Sequence, residues 1–86
     1  MDAGEIESGL IAIGWRVRAA RERRGWTPEQ LAERMSVSRT TLVGWEGSAA
    51  GRFSVETAMR LASVLGVRVG WLLSGQGARD AKAVKP

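Results

Sequence analysis

The sequence predicts an all-α protein: five short helices in one compact domain over residues 10–75, between a flexible N-terminal segment, residues 1–9, and a disordered tail, residues 76–86. Three observations predict it. Apolar residues recur at intervals of three and four along most of the chain, the period of a helix with one buried face. Cap residues punctuate those stretches, with Thr27, Ser38 and Ser54 before them and Gly25 and Gly66 after them. The run whose valines alone suggest a strand, residues 67–73, has no partner strand in an otherwise helical chain.

The N-terminal segment is polar and contains Gly4 and Gly9, as fraying chain ends do. Ile6, Leu10, Ile13 and Val17 nevertheless keep helical spacing and allow an early start to the first helix. Its firm part is residues 10–24, with Ile13, Val17 and Ala20 as the buried stripe and Gly25 as the terminating cap. The second helix opens at Thr27, whose hydroxyl accepts an unpaired N–H of the first turn. Pro28 costs nothing at the first helical position, Gln30 completes a capping box, and Trp26 staples onto Leu31. Leu31, Ala32 and Met35 face inward, and Ser36 and Val37 break the helix. Ser38 caps the third helix, with Leu42 and Trp45 on its inner face and Arg39, Thr40 and Val43 facing out.

Residues 47–53, GSAAGRF, read as a loop. Ser54 caps the fourth helix, with Val55, Ala58, Leu61, Ala62 and Leu65 as its inner face and Gly66 as its stop. An extended entry at residues 67–69 leads to a short fifth helix at residues 70–73. Trp45 and Trp71 read as packing residues, whereas Trp15 lies off the apolar stripe.

Composition narrows the function. The 86 residues, 44% hydrophobic, suffice for one small core. There is no cysteine and no histidine, which removes disulfides, thiol nucleophiles, imidazole bases and the usual zinc ligands. No catalytic constellation, cofactor site or metal site can be assembled, so the expectation is that the protein is not an enzyme. No apolar run is long enough to span a bilayer, and MDAGEIESG is acidic, the opposite of a signal peptide, so a cytoplasmic protein is expected. The 13 Lys+Arg against 9 Asp+Glu give a net charge of +4, a weak pointer to nucleic acid. The kind of base is more telling, since eleven are arginine, suited to bidentate phosphate and base contacts. Five of these, Arg16, Arg18, Arg21, Arg23 and Arg24, crowd one segment, where a solvated helix face accounts for at least two.

Small Ala32 on the second helix, the break near Ser36, and Leu42 and Trp45 on the third give the spacing of a helix-turn-helix, whose second helix enters the DNA major groove. An ordinary helical hairpin with a buried seam fits these residues equally. The longer string GWTPEQLAERMSVSRTTLVGWEG, followed by LASVLGVRVGWLLSG, resembles the phage-repressor (Cro/CI, XRE-type) helix-turn-helix family over residues 13–75. The resemblance implies a five-helix lambda-repressor-like fold, sequence-specific binding to double-stranded DNA, and homodimers on palindromic sites.

Carried over by position, the recognition helix is residues 38–45. Arg39 and Thr40 match residues that meet base edges, Arg39 suited to guanine O6 and N7 and Thr40 to a thymine methyl or a hydrogen bond. Ser38 and Thr41 match phosphate-facing positions, Val43 shares the outward face, and Arg52 lies in the following loop, a natural place to meet phosphate. The resemblance also implies a structural ion pair between Glu46 and Arg21. The chain departs from the family where Gln is common (Pro28), where the turn usually has Gly (Ser36), where a polar base reader is frequent (Gly44), and near a frequent Pro (Phe53). The functional expectation is a transcriptional regulator acting as a repressor. The alternative is a protein-interaction module or antitoxin-like partner on the same fold, which Pro28 and Gly44 favour and Arg39, Thr40 and Arg52 oppose.

Overall fold

The structure, a computed structural model, describes residues 3–81, with side chains from residue 12 onward. Five helices follow in order: α1 (Ala3–Arg23), α2 (Pro28–Met35), α3 (Arg39–Glu46), α4 (Val55–Leu65) and α5 (Val69–Ser74). Local chemistry sets most of their ends. Thr27 Oγ1 accepts the Gln30 N–H at 3.2 Å while Gln30 Oε1 accepts the Thr27 N–H at 2.8 Å, a reciprocal capping box that starts α2. Ser38 Oγ accepts the Thr41 N–H at 3.1 Å, and Ser54 Oγ accepts the Thr57 N–H at 3.0 Å. Gly66 and Gly75 end α4 and α5 in the left-handed region.

α2 packs on α3 and α4, while α1 runs across α3, α4 and α5. Val17, Leu31, Met35, Leu42, Leu61 and Leu72 are fully buried where these helices meet, with Ala20, Ala32, Ala58 and Ala62 at the close approaches. Burying such side chains supplies about 1.5–3 kcal/mol each, the main favourable term for so small a domain. Trp26 packs against the core from the α1–α2 junction, and the guanidinium groups of Arg34 and Arg24 lie over its ring, 4.2 and 5.4 Å from the centroid.

Arginines close several helix ends that small caps leave open. Arg16 Nε donates to Leu72 O at 2.8 Å and its Nη2 to Leu73 O at 3.1 Å, at the end of α5. Arg24 Nε donates to Leu65 O at 3.1 Å, at the end of α4, and Arg60 Nη2 to Met35 O at 3.1 Å, at the end of α2. Each satisfies a carbonyl that has no partner within its own helix. Burial lowers the pKa of Arg16.

Three expectations change. α1 is helical from Ala3, the early start that the apolar spacing allows. Val55 is 73% exposed, because it shares a side of α4 with exposed Met59, off the stripe of Ala58, Leu61, Ala62 and Leu65. Residues 76–81 are not loose: they turn back so that Arg68 N–H donates to Arg79 O at 2.9 Å and Ala81 N–H to Gly66 O at 3.1 Å. Val67 and Asp80 form an isolated antiparallel bridge there, a single pair, and no strand occurs among the described residues. Asp80 Oδ1 accepts from Arg23 at 3.0 Å and from Arg79 at 3.2 Å, and these two bonds, Arg23's first, lower its carboxyl pKa. The expectations for residues 1–2 and 82–86 lie outside the described residues.

Candidate nucleic-acid interface

The turn between α2 and α3 is made by Ser36, which takes φ 57°, ψ 41°, the left-handed conformation that favours glycine. The Val37 N–H then returns to Ala32 O at 3.0 Å, and Ser38 begins α3. Buried Ala32 on α2 and Leu42 and Trp45 on α3 fill the angle between the two helices. The outward face of α3 is thereby fixed. Arg39, Thr40 and Thr41 are exposed on it, Val43 is partly exposed, and Gly44 is half-buried. Ser38 and Thr41 engage each other, since Ser38 Oγ also donates to Thr41 Oγ1 at 3.0 Å. A Cβ built on Gly44 meets only Ala49 Cβ, at 3.6 Å, so the position is open to a larger side chain.

Arg39 has a partner that the sequence reading did not assign. Its Nε donates to Glu29 Oε1 at 2.6 Å, joining the first turn of α3 to the first turn of α2. The Glu29 carboxyl pKa is lowered first by its own backbone N–H and then by Arg39, so it is charged at neutral pH. Signals for this pair existed in the acidic residue of the first turn of α2 and the basic residue opening α3, ten positions apart. Only the crossing angle of the helices shows that they meet.

The far end of α3 is anchored to α1. Arg21 Nε and Nη2 donate to Glu46 Oε2 and Oε1 at 2.7 and 3.0 Å, a bidentate pair in which both side chains are 9% exposed. Arg21 Nη1 also donates to Trp26 O at 2.7 Å. The bond to Glu46 outweighs burial and raises the Arg21 pKa, so the guanidinium is held charged. Beside them Gly14 lies against the end of α3, where an added Cβ would stand 2.7 Å from Glu46 O and 2.9 Å from Ala50 Cβ. Sequence reasoning passed over this glycine.

The loop after α3 is more fixed than its Gly-rich composition suggests. Ala49 N–H donates to Gly44 O at 2.7 Å, Ala50 is buried, and Phe53 meets Trp45 edge to face with ring centroids 5.8 Å apart. Arg52 stands exposed between these two anchors. Among the described residues its side chain has no hydrogen bond, ion pair or aromatic contact, whereas Arg16, Arg21, Arg24, Arg39 and Arg60 are engaged. Arg18 pairs with Glu22 at 3.5 Å and lies over Trp15.

Among the described residues no cluster of His, Cys, Asp or Glu is arranged to hold a metal ion, and no helix is long and apolar enough to cross a membrane. No curated protein and no solved structure gives a significant match. A family model described as Helix-turn-helix matches residues 17–72, from the buried stripe of α1 to the core residue of α5. With its five-helix fold and capped α2–turn–α3 unit, the chain belongs to the XRE-type, Cro/CI-like helix-turn-helix family of DNA-binding regulators.

Proposed function

We propose that the protein is a repressor that occupies a specific operator in double-stranded DNA, with α3 in the major groove. The observation that carries the reading is the outward face of α3, which sets Arg39 and Thr40 at its leading end and exposed Arg52, without a partner among the described residues, just beyond its trailing end. Arg39 reads a guanine and Thr40 a neighbouring base edge. Ser38 and Thr41 approach phosphate, Val43 and Gly44 line the groove-facing surface, and Arg52 holds the backbone. Buried Arg21 and Glu46 fix the pose of α3 without touching DNA. A cytoplasmic homodimer on a palindromic site completes the reading.

The test compares Arg39→Ala and Arg52→Ala on a half-site selected from a random duplex pool and on random duplex, across a salt series. Arg39→Ala should relax preference at one base pair per half-site, by about 1–3 kcal/mol. Arg52→Ala should weaken both duplexes alike and lower the salt slope by roughly one unit per lost phosphate contact. If wild type shows neither preference nor salt slope, the operator reading falls and the interaction-module reading replaces it.

A further inference from the structure

Glu29 places a full negative charge on a face meant for a polyanion. Its carboxylate is fixed in the first turn of α2, where its own N–H and the helix N-terminus favour the charged form. From there it accepts the Nε–H of Arg39 at 2.6 Å, with the two side chains 58% and 60% exposed. The helix N-terminus accounts for a carboxylate in this turn, and the exposed pair itself adds little to stability. What the pair adds is geometry. An arginine offers five N–H donors in a planar fork, and guanine is read by two of them side by side. Glu29 takes only the Nε edge, and among the described residues neither terminal nitrogen of Arg39 has a partner. A side chain with several rotamers is thus held by one edge while its reading end stays free, which reduces what must be ordered on binding.

We propose that Glu29 is a positioning residue for base reading: by holding the Nε edge of Arg39 it aims the terminal Nη groups at a guanine, raising sequence preference while its charge weakens sequence-independent binding. The inference rests on the reading of Arg39 as a base contact. It predicts opposite changes in two quantities that a merely electrostatic or structural role would move together. Without Glu29 the face is more positive, so phosphate attraction rises on any duplex. Arg39 then loses its fixed direction and discriminates poorly.

The experiment measures Glu29→Ala, Glu29→Gln, Arg39→Ala and the Glu29→Ala/Arg39→Ala double variant. The probes are the selected half-site, the same duplex with its Arg39-dependent base pair changed, and random duplex. Glu29→Ala should bind random duplex a few-fold more tightly, yet lose about tenfold of its preference at that base pair. Glu29→Gln, which keeps a neutral acceptor, should retain part of the preference. In the Arg39→Ala background, removing Glu29 should leave preference at that pair unchanged. If Glu29→Ala tightens all three duplexes equally, Glu29 is a bystander charge and the proposal is overturned. If Arg39→Ala leaves base preference intact, Arg39 is not the reader. That outcome overturns the proposal through its foundation, and is distinguished because it appears without any change at Glu29.

Discussion

Single side chains decide how firmly α3 is held. Arg21 and Glu46 are both buried and satisfy each other through two hydrogen bonds, so removing one leaves the other charged and uncompensated. Arg21→Ala should cost about 3–5 kcal/mol, a large share of the roughly 5–15 kcal/mol typical of a folded domain. Urea unfolding measures this directly, and a midpoint equal to wild type would show that the pair does not stabilise the fold. The pair entered the sequence reading through family resemblance, because nothing in the spacing of Arg21 and Glu46 brings them together. Glu29 and Arg39 show the same limit, since each is an ordinary charged residue near a helix start until the helices cross.

At the scale of helices, the caps were legible and the crossings were not. Thr27, Ser38, Ser54 and Gly66 act on backbone groups within a few residues, so their effects can be read from order alone. Gly14 acts on α3 from across the fold, and its neighbours are the carbonyl of Glu46 and the methyl of Ala50. Its role is therefore visible only in three dimensions. The contrast with Gly44 gives a paired prediction. Gly14→Ala forces α1 away from the end of α3 and should destabilise by about 1–3 kcal/mol. Gly44→Ala adds a methyl in ordinary contact inside a helix and should stabilise by roughly 0.5–1 kcal/mol. Thermal or urea unfolding of the two variants checks both signs, and equal shifts in one direction would contradict the packing described. Val55 illustrates the opposite failure, an apolar residue placed inward by spacing that the end of α4 leaves in solvent.

For the whole molecule, charge and surface tell different stories. The arginine excess suggests side chains free to meet an anion, yet Arg16, Arg24 and Arg60 have donors committed to helix-end carbonyls, whereas among the described residues the Arg52 side chain makes no such bond. On α5, Leu72 is fully buried and is not available to a partner, whereas Leu73 is exposed and Trp71 half-exposed. We propose that the two-fold contact of the homodimer lies on the bulky cluster of α5, where burial of Leu72 leaves Trp71 and Leu73 to make it. It would set two copies of α3 about 34 Å apart, one turn of DNA. Sedimentation should show a dimer that Leu73→Glu converts to monomer. A wild-type monomer at high concentration, free and on DNA, would remove the dimer from the proposal. The return of residues 76–81 escaped the sequence reading because Asp80 finds Arg23 at a separation of 57 positions.

The arginine caps have a consequence for how the domain opens. The bonds from Arg16, Arg24 and Arg60 to the ends of α5, α4 and α2 span 25 to 57 positions of chain. α5 has six residues, well short of the roughly 12–15 at which a helix begins to hold in water alone. Its last carbonyls are served by a donor on α1, so it cannot fray without also undoing a contact of the longest helix. Fluctuations that would peel away a short terminal element are thereby tied to separation of the whole bundle. The domain should lose its structure in one cooperative step, leaving few partly open forms for a protease to find.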